Sequence, residues 1–136
     1  MSDSVLQAGE GLGPQTFTIR RADLVRYAGA SGDFNPIHWS DRVAKSVGLP
    51  GVIAHGMFTM ALAARALRLW VGDAEVVEFG CKFTNPVVVP DDDDGVELVV
   101  AGTVKGVTDG LTTIALEVTC DGQKVLGMPK AVIRAS

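Results

Sequence analysis

The second half of the chain is dominated by alternating apolar and polar positions. Beyond residue 74, apolar side chains recur at every second position in segments separated by Gly, Pro and Asp. This period is typical of half-buried β-strands, and an Asp-Gly pair between two such segments is typical of a hairpin turn. The alternating positions are Val77, Phe79, Cys81 and Phe83; Val96, Leu98, Val100 and Val104; Thr112, Ile114, Leu116, Val118 and Cys120; and a last segment ending near Arg134. The pattern predicts a long antiparallel sheet.

The first half contains segments with helical periodicity. The segment from His55 to Trp70 is almost continuously apolar and rich in Ala, Leu and Met, so it predicts a buried helix. Asp23 to Ala30 predicts a short amphipathic helix, and Ser40 can cap another that runs through Val47. The position before the Asp23 helix is Arg20, which lacks the oxygen of a Ser or Thr cap.

These elements predict an α+β fold in which a long antiparallel sheet wraps around one central apolar helix. With 136 residues, 47% of them hydrophobic, the chain is expected to form a single domain over residues 1–136. Residues 1–14 are polar and Gly-rich and are predicted to be a loose arm, with the first strand at Thr16–Ile19. Pro129 cannot donate to a strand ladder, so an edge or a β-bulge is expected there.

Charge and composition exclude several classes of function. The net charge of −4 and the absence of a Lys/Arg stripe argue against nucleic-acid binding. The first residues lack the pattern of a signal peptide, and Arg65 and Arg68 interrupt the apolar segment, so we expect a cytoplasmic protein that does not enter a membrane. Cys81 and Cys120 are predicted to be small core residues rather than a disulfide or a nucleophile.

The most informative stretch is Gly32-Asp33-Phe34-Asn35-Pro36-Ile37-His38. Asp33 and His38 cannot share a regular helix, because Pro36 forces Asn35 out of the helical region. A loop bent in this way can turn a carboxylate and an imidazole towards one point, with one water or hydroxyl between them. Asn35 either fixes its own loop or touches substrate.

The start of the apolar helix offers a complementary group. At His55-Gly56-Met57 the backbone amides lack intrahelical partners and carry the positive end of the helix dipole. Because Gly56 has no side chain, an acyl oxygen can approach these amides as in an oxyanion hole. The sequence thus predicts acid/base groups on one segment and stabilisation of an enolate-like oxygen on the other.

Two motifs together resemble a known family. Tyr27-Ala28-Gly29-Ala30-Ser31-Gly32-Asp33-Phe34-Asn35-Pro36-Ile37-His38 and Ile53-Ala54-His55-Gly56-Met57 resemble the signature of MaoC-like (R)-specific enoyl hydratases and dehydratases. With Asp23-Leu24-Val25 and Val71-Gly72-Asp73, the resemblance is greatest to the beta subunit of the mycobacterial (3R)-hydroxyacyl-ACP dehydratase of type II fatty acid synthesis. It covers nearly the whole chain and implies a single hotdog fold.

The resemblance implies reversible dehydration of (3R)-3-hydroxyacyl thioesters to trans-2-enoyl thioesters. Asp33 and His38 would be catalytic, and Gly56, Asn35, His55 and Met57 would form the oxyanion and substrate-binding set. The position of His55 is mainly structural in the family, with proton transfer as the alternative. No cofactor and no metal are expected, although Asp33, His38 and His55 could supply three zinc ligands.

The substrate and the assembly remain open at this point. The acyl group is expected on an acyl carrier protein (ACP), with an R-specific hydratase acting on coenzyme A (CoA) esters as the alternative. The same fold would also suit a thioesterase, or an acyl-binding subunit without chemistry of its own. One hotdog unit exposes a sheet edge, so a homodimer or a heterodimer with a related hotdog subunit is expected.

Overall fold

The computed structural model describes residues 6–135, and within them the predicted α+β architecture is confirmed. Its helices are α1 (Arg21–Ser31), α2 (Asp41–Ser46) and α3 (Gly56–Val71), with a 3₁₀ turn at Pro36–His38. Its strands are β1 (Gly11–Ile19), β2 (Glu75–Phe83), β3 (Val96–Thr108), β4 (Leu111–Cys120), β5 (Gln123–Lys124) and β6 (Leu126–Arg134).

The strands form one antiparallel sheet in the order β1-β3-β4-β6-β2, and the short β5 pairs with β4. The predicted Asp-Gly turns are present. Asp109 and Gly110 both have positive φ between β3 and β4, as do Asp121 and Gly122 after β4. Two successive positive φ angles match the right-handed twist of the paired strands, which is why this dipeptide closes hairpins.

The core lies between α3 and the inward face of the sheet. Thr59, Ala63, Ala66 and Leu67 are the buried residues of α3. They are opposed by alternate strand residues, which include Leu98, Val100, Val104, Ile114, Val118, Ala131 and Ile133. The sheet thus covers one side of the helix, as in the hotdog fold.

Two expectations about burial and order are corrected by the structure. The helix is not buried all round, because Met57 and Leu69 are exposed on the side that the sheet does not reach. The first strand begins at Gly11 rather than Thr16, and buried Leu12 pairs with Gly102, so residues 11–14 are not a loose arm. Residues 1–5 of the predicted arm lie outside the described residues.

Two local expectations can also be compared with the structure. Arg20 provides no side-chain cap, but the Asp23 carboxylate accepts a hydrogen bond of 2.8 Å from the Arg20 amide, so the helix entrance is held from the other direction. Pro129 lies at an irregularity where Lys82 pairs with Gly127 and Gly80 with Lys130, which confirms the predicted bulge.

Candidate active site

The loop that carries Asp33 begins at a sharp turn out of α1. Gly32 has φ 79°, a left-handed conformation that ends the helix and that glycine adopts without steric cost. The Asp33 amide then donates to Ser31 Oγ at 3.1 Å, and Asp33 Oδ1 accepts from the Asn35 amide at 3.2 Å. The turn therefore uses Oδ1 and leaves Oδ2 for other contacts.

Asn35 fixes the next part of the same loop. Its Oδ1 accepts a hydrogen bond of 3.2 Å from the Ile37 amide and so caps the 3₁₀ turn. Its own backbone is extended, as expected for a residue before proline. The side chain of Asn35 thus fixes its own loop.

His38 is oriented by a backbone carbonyl. Its Nδ1 lies 2.7 Å from the carbonyl oxygen of Ile53, which can only accept, so Nδ1 carries a proton and Nε2 of the neutral ring keeps its lone pair. The Ile53 amide donates to Ile37 O at 3.1 Å, which ties this segment to the loop. His38 is 8% exposed, so its ring has little freedom to turn.

The remaining atoms of the pair face each other. His38 Nε2 lies 3.9 Å from Asp33 Oδ2, which is too long for a direct hydrogen bond. An oxygen atom about 2.8 Å from each would bridge the gap: a water can donate to both atoms, and a substrate hydroxyl can take the same place while it donates to one of them. Asp33 is half exposed, so this position is open to a ligand.

His55 lies behind the pair. Its Nε2 donates to the backbone carbonyl of Asp33 at 3.1 Å, and its ring stacks on His38 with the ring centres 3.8 Å apart. The Tyr27 ring packs against it, with the ring centres 4.8 Å apart and 61° between the planes. Burial lowers the pKa of His55, and the neighbouring His38 adds to this, while the Asp33 carbonyl and carboxylate act in the opposite direction. His55 is therefore a neutral, 1% exposed residue at neutral pH.

The amides at the start of α3 differ in their hydrogen bonding. Phe58 N and Thr59 N both donate to His55 O, whereas Gly56 N and Met57 N have no acceptor within residues 6–135. A Cβ built on Gly56 would lie 3.0 Å from the Phe83 ring, so glycine is the residue that fits there. Two such amides at a helix N-terminus can stabilise a developing negative charge.

A cavity of about 390 Å³ joins the pair to these amides. Its lining includes four of the six predicted site residues, namely Asp33, His38, Gly56 and Met57. Asn35 and His55 lie outside the lining and support it from behind. The sequence did not predict the remaining wall, which comprises Ile37, Ile53, Ala54, Thr59, Phe83, Thr84, Asn85, Pro86, Val87, Val125 and Leu126. This wall is mostly apolar, which suits an acyl chain.

The possible zinc ligands are close together but badly oriented. Asp33, His38 and His55 each bring one donor atom to within 4.8 Å of the others. The two imidazoles stack with 21° between their planes, and each already donates one N–H to a carbonyl. Their remaining lone pairs lie in nearly parallel planes and do not converge on one point, so this set does not fit a compact metal shell.

A charged pair braces the segment that carries the acceptor of His38. Arg21 donates to both carboxylate oxygens of Asp41, at 2.9 and 3.1 Å, and Asp41 Oδ1 also accepts from the Val52 amide at 2.9 Å. The hydrogen bond from Val52 and then that from Arg21 lower the pKa of Asp41. These contacts fix the backbone at Val52, which directly precedes Ile53, and the Ile53 carbonyl orients His38.

The two thiols take no part in this arrangement. Both cysteines are free, Cys120 is buried, and burial raises the pKa of each. A raised pKa keeps a thiol protonated and unreactive. The prediction that they are packing residues agrees with these positions.

The chain belongs to the MaoC-like domain family, whose model matches residues 5–123. It is similar to 3-hydroxyacyl-thioester dehydratase X of Mycobacterium tuberculosis, with 43% identity over 53% of this chain and 25% of that protein. A solved MaoC-like dehydratase is 34% identical, with a TM-score of 0.92 over 96% of this chain and 41% of that one. The unliganded R-hydratase PhaJ1 of Pseudomonas aeruginosa is 28% identical, with a TM-score of 0.82 over 96% of this chain and 82% of that one.

These comparisons confirm the predicted family. The matched region is only a quarter of the length of the dehydratase from M. tuberculosis, and this chain covers less than half of the solved MaoC-like dehydratase. The activity and the substrate of this chain are therefore inferred from its own site. Within the described residues, no helix is long and apolar enough to cross a membrane.

Proposed function

We propose that this chain catalyses the reversible dehydration of (3R)-3-hydroxyacyl thioesters to trans-2-enoyl thioesters. The observation that carries the proposal is the 3.9 Å gap between Asp33 Oδ2 and His38 Nε2. This gap opens into the same cavity as the amides of Gly56 and Met57. A base, an acid and an oxyanion site are the three elements that this elimination requires.

The pair can move the protons without any net change. The C3 hydroxyl of the substrate occupies the gap between Asp33 and His38. The pair takes the proton from C2 and supplies one proton to the departing hydroxyl, so that water leaves and the C2–C3 double bond forms. The carboxylate and the neutral imidazole are then restored, and the reverse sequence hydrates the enoyl thioester. Because both acceptor atoms face the same gap, the C2 proton is assigned to the pair and not to one member.

The helix start stabilises the intermediate charge. Removing a proton next to a thioester carbonyl places negative charge on the carbonyl oxygen. The amides of Gly56 and Met57 have no acceptor among the described residues, so they can donate to that oxygen without breaking an existing bond. The apolar wall that includes Ile53, Val87 and Leu126 receives the acyl chain.

The carrier of the acyl group is the finer part of the proposal. The sequence resemblance to a dehydratase of type II fatty acid synthesis favours ACP, in the cytoplasm. The similarity to a solved R-hydratase keeps CoA esters as the second candidate. Relative rates with one acyl chain on each carrier distinguish the two.

A second hotdog subunit, identical or related, is also proposed. One side of β2 pairs with β6, and its other side has no strand partner among residues 6–135. Val76, Val77 and Phe83 on this strand are exposed. An apolar free edge of this kind is suited to pairing with another sheet.

The test is hydration of a short trans-2-enoyl thioester, presented on CoA and on ACP and followed by loss of the enoyl absorbance. We expect Asp33→Asn and His38→Ala each to lower kcat by roughly 10³-fold or more, because each removes one member of the proton-transfer pair. Glu117→Gln, which removes an exposed carboxylate on β4, is the matched control and should keep the wild-type rate. A wild-type protein that hydrates neither substrate, or a pair variant with full kcat, would exclude this function.

A further inference from the structure

We infer that His55 is a positioning residue that holds Asp33 and His38 in register with each other and with the start of α3. This inference deepens the proposed dehydratase function and rests on it. It assigns no proton transfer to His55, which lies outside the cavity lining and is 1% exposed.

A hydrogen bond from His55 ties the Asp33 loop to α3. The Asp33 amide donates to Ser31, its Oδ1 accepts from Asn35, and its carbonyl accepts from His55 Nε2. Oδ2 is the polar atom that these contacts leave for the reaction. Ser31 is the last residue of α1 and Asn35 lies in the loop itself, so neither of their bonds ties the loop to α3 or prevents the loop from shifting relative to that helix. The bond from His55 opposes such a shift.

The ring of His55 also limits the motion of His38. The Nδ1 bond to Ile53 fixes one point of the His38 imidazole but leaves rotation about that bond. The stacked ring of His55, at 3.8 Å and 21°, covers one face of the imidazole and restricts the tilt. Tyr27 and Phe58 pack with each other at 5.1 Å, and Tyr27 also contacts His55, so the supporting ring is itself held. Nε2 of His38 is thereby aimed at Asp33.

An uncharged His55 ring suits this supporting position. His38 becomes positive when it takes a proton, and a second positive imidazole stacked on it would oppose that step. The titratable side chains facing His55 are His38, Asp33 and Tyr27, the last from α1. Burial lowers the pKa of His55, so at neutral pH the supporting ring carries no charge that would oppose a proton on His38. His55 Nδ1 is buried without a partner within the described residues, which agrees with a neutral ring protonated on Nε2.

His55 also sets the distance between the pair and the oxyanion amides. It is the residue before the first turn of α3, and its carbonyl accepts from Phe58 N and Thr59 N. The side chain of His55 thus contacts Asp33 and His38, and its backbone forms part of the helix start. Misplacing reacting groups by about 1 Å can cost roughly 100-fold in rate.

The kinetic test compares His55→Gln with His55→Leu. The Gln amide can still donate to the Asp33 carbonyl, whereas Leu provides neither a donor nor a planar ring. We expect His55→Leu to lower kcat by about 10-fold to 100-fold with KM within about twofold, and His55→Gln to recover a substantial part of the loss. Leu67→Ala, a buried change on the same helix away from the pair, is the control for lost stability and should keep the wild-type kcat below its unfolding temperature.

Two kinetic results would overturn the inference. One is a His55→Leu protein with wild-type kcat. The other is a His55→Gln protein as slow as His55→Leu, since that would make the bond to Asp33 irrelevant.

A measurement on the wild-type protein does not depend on the variants folding or on any substrate. Nitrogen-15 NMR should show a neutral His55 ring protonated on Nε2, with its pKa below the ordinary value of about 6.5, and the neutral His38 ring protonated on Nδ1. A His55 ring protonated on Nδ1, or one that titrates near the ordinary value of about 6.5, would overturn the inference. Failure of the proposed function has a different signature, namely a wild-type protein with this NMR pattern and no hydration of either thioester.

Discussion

On the loop from Gly32 to His38 the polar atoms around the pair are held by partners, whereas at the start of α3 the amides of Gly56 and Met57 have none within the described residues. The bonds of the loop leave two acceptor atoms facing each other, Oδ2 of Asp33 and Nε2 of His38. The helix start leaves two donors. In the proposed reaction, the loop supplies the proton acceptors and the start of α3 supplies the donors for negative charge, so charge in the substrate would separate between them.

Outside the proposed catalytic pair, the largest effect is expected from Gly56→Ala, which changes the start of α3. The added Cβ would lie 3.0 Å from Phe83, so the ring must move towards the cavity or the helix start must shift. We expect kcat to fall by about 100-fold while the unfolding temperature changes little, because Phe83 is 56% exposed and has room to move. Steady-state hydration kinetics and thermal unfolding check the two parts.

Phe83→Ala supplies the control for this change. In the Phe83→Ala background the new methyl group has space, so Gly56→Ala should cost much less than it does alone. An equal cost in both backgrounds would mean that the methyl group obstructs the acyl oxygen directly and that crowding by Phe83 is not the cause.

A smaller effect is expected from Asn35→Ala, which loosens the loop that carries Asp33 and His38. This change removes the acceptor for the Ile37 amide and with it the cap of the 3₁₀ turn, a contact of the kind usually worth about 1 kcal/mol. We expect kcat to fall by roughly tenfold, since Asp33 and His38 stay in place but their loop opens more often. Asn35→Ser keeps an acceptor oxygen and should recover most of the rate. If Asn35→Ala instead raised KM by a larger factor than it lowered kcat, Asn35 would be in direct contact with substrate.

The loop and the helix start also show which features the sequence could predict. The loop, the helix start and the Asp-Gly turns are specified by neighbouring residues: Pro36 sets Asn35, and Gly110 and Gly122 supply positive φ. These features were predicted because their causes are local. The family resemblance then indicated the hotdog arrangement that local patterns alone leave open.

The remaining features depend on distant pairing. Phe83 and Leu126 face each other in the sheet and both line the cavity, but alternation cannot show which strand ends reach the helix start. The early beginning of β1 was missed because Gly11, Gly13 and Pro14 interrupt the alternation, although pairing with β3 holds this segment in the sheet. The exposure of Leu69 was missed because an apolar composition does not reveal how much of a helix one sheet covers.

The smallest effect on catalysis is expected from a change at Asp41, which supports the segment between the loop and the start of α3. Asp41 accepts from the Val52 amide, and the next carbonyl, that of Ile53, orients His38. The pKa of Asp41 is lowered in the folded protein, so its contribution to stability is present above the unfolded value of about 3.9 and is lost as the pH falls through the lowered value. We expect Asp41→Asn to lower the unfolding temperature by a few degrees at pH 7 and to lower kcat only slightly.

The pH dependence separates this contact from a general loss of packing. The difference in unfolding temperature between the wild type and Asp41→Asn should narrow as the pH falls below about 4, since the wild-type carboxylate is then progressively protonated. Glu75→Gln removes one member of the exposed pair with Arg134 and should change the unfolding temperature far less at every pH. A constant difference from pH 7 to pH 3 would show that the charge of Asp41 does not brace the segment at Val52. The link between the loop and the start of α3 would then depend on His55 and the backbone bonds of Ile53.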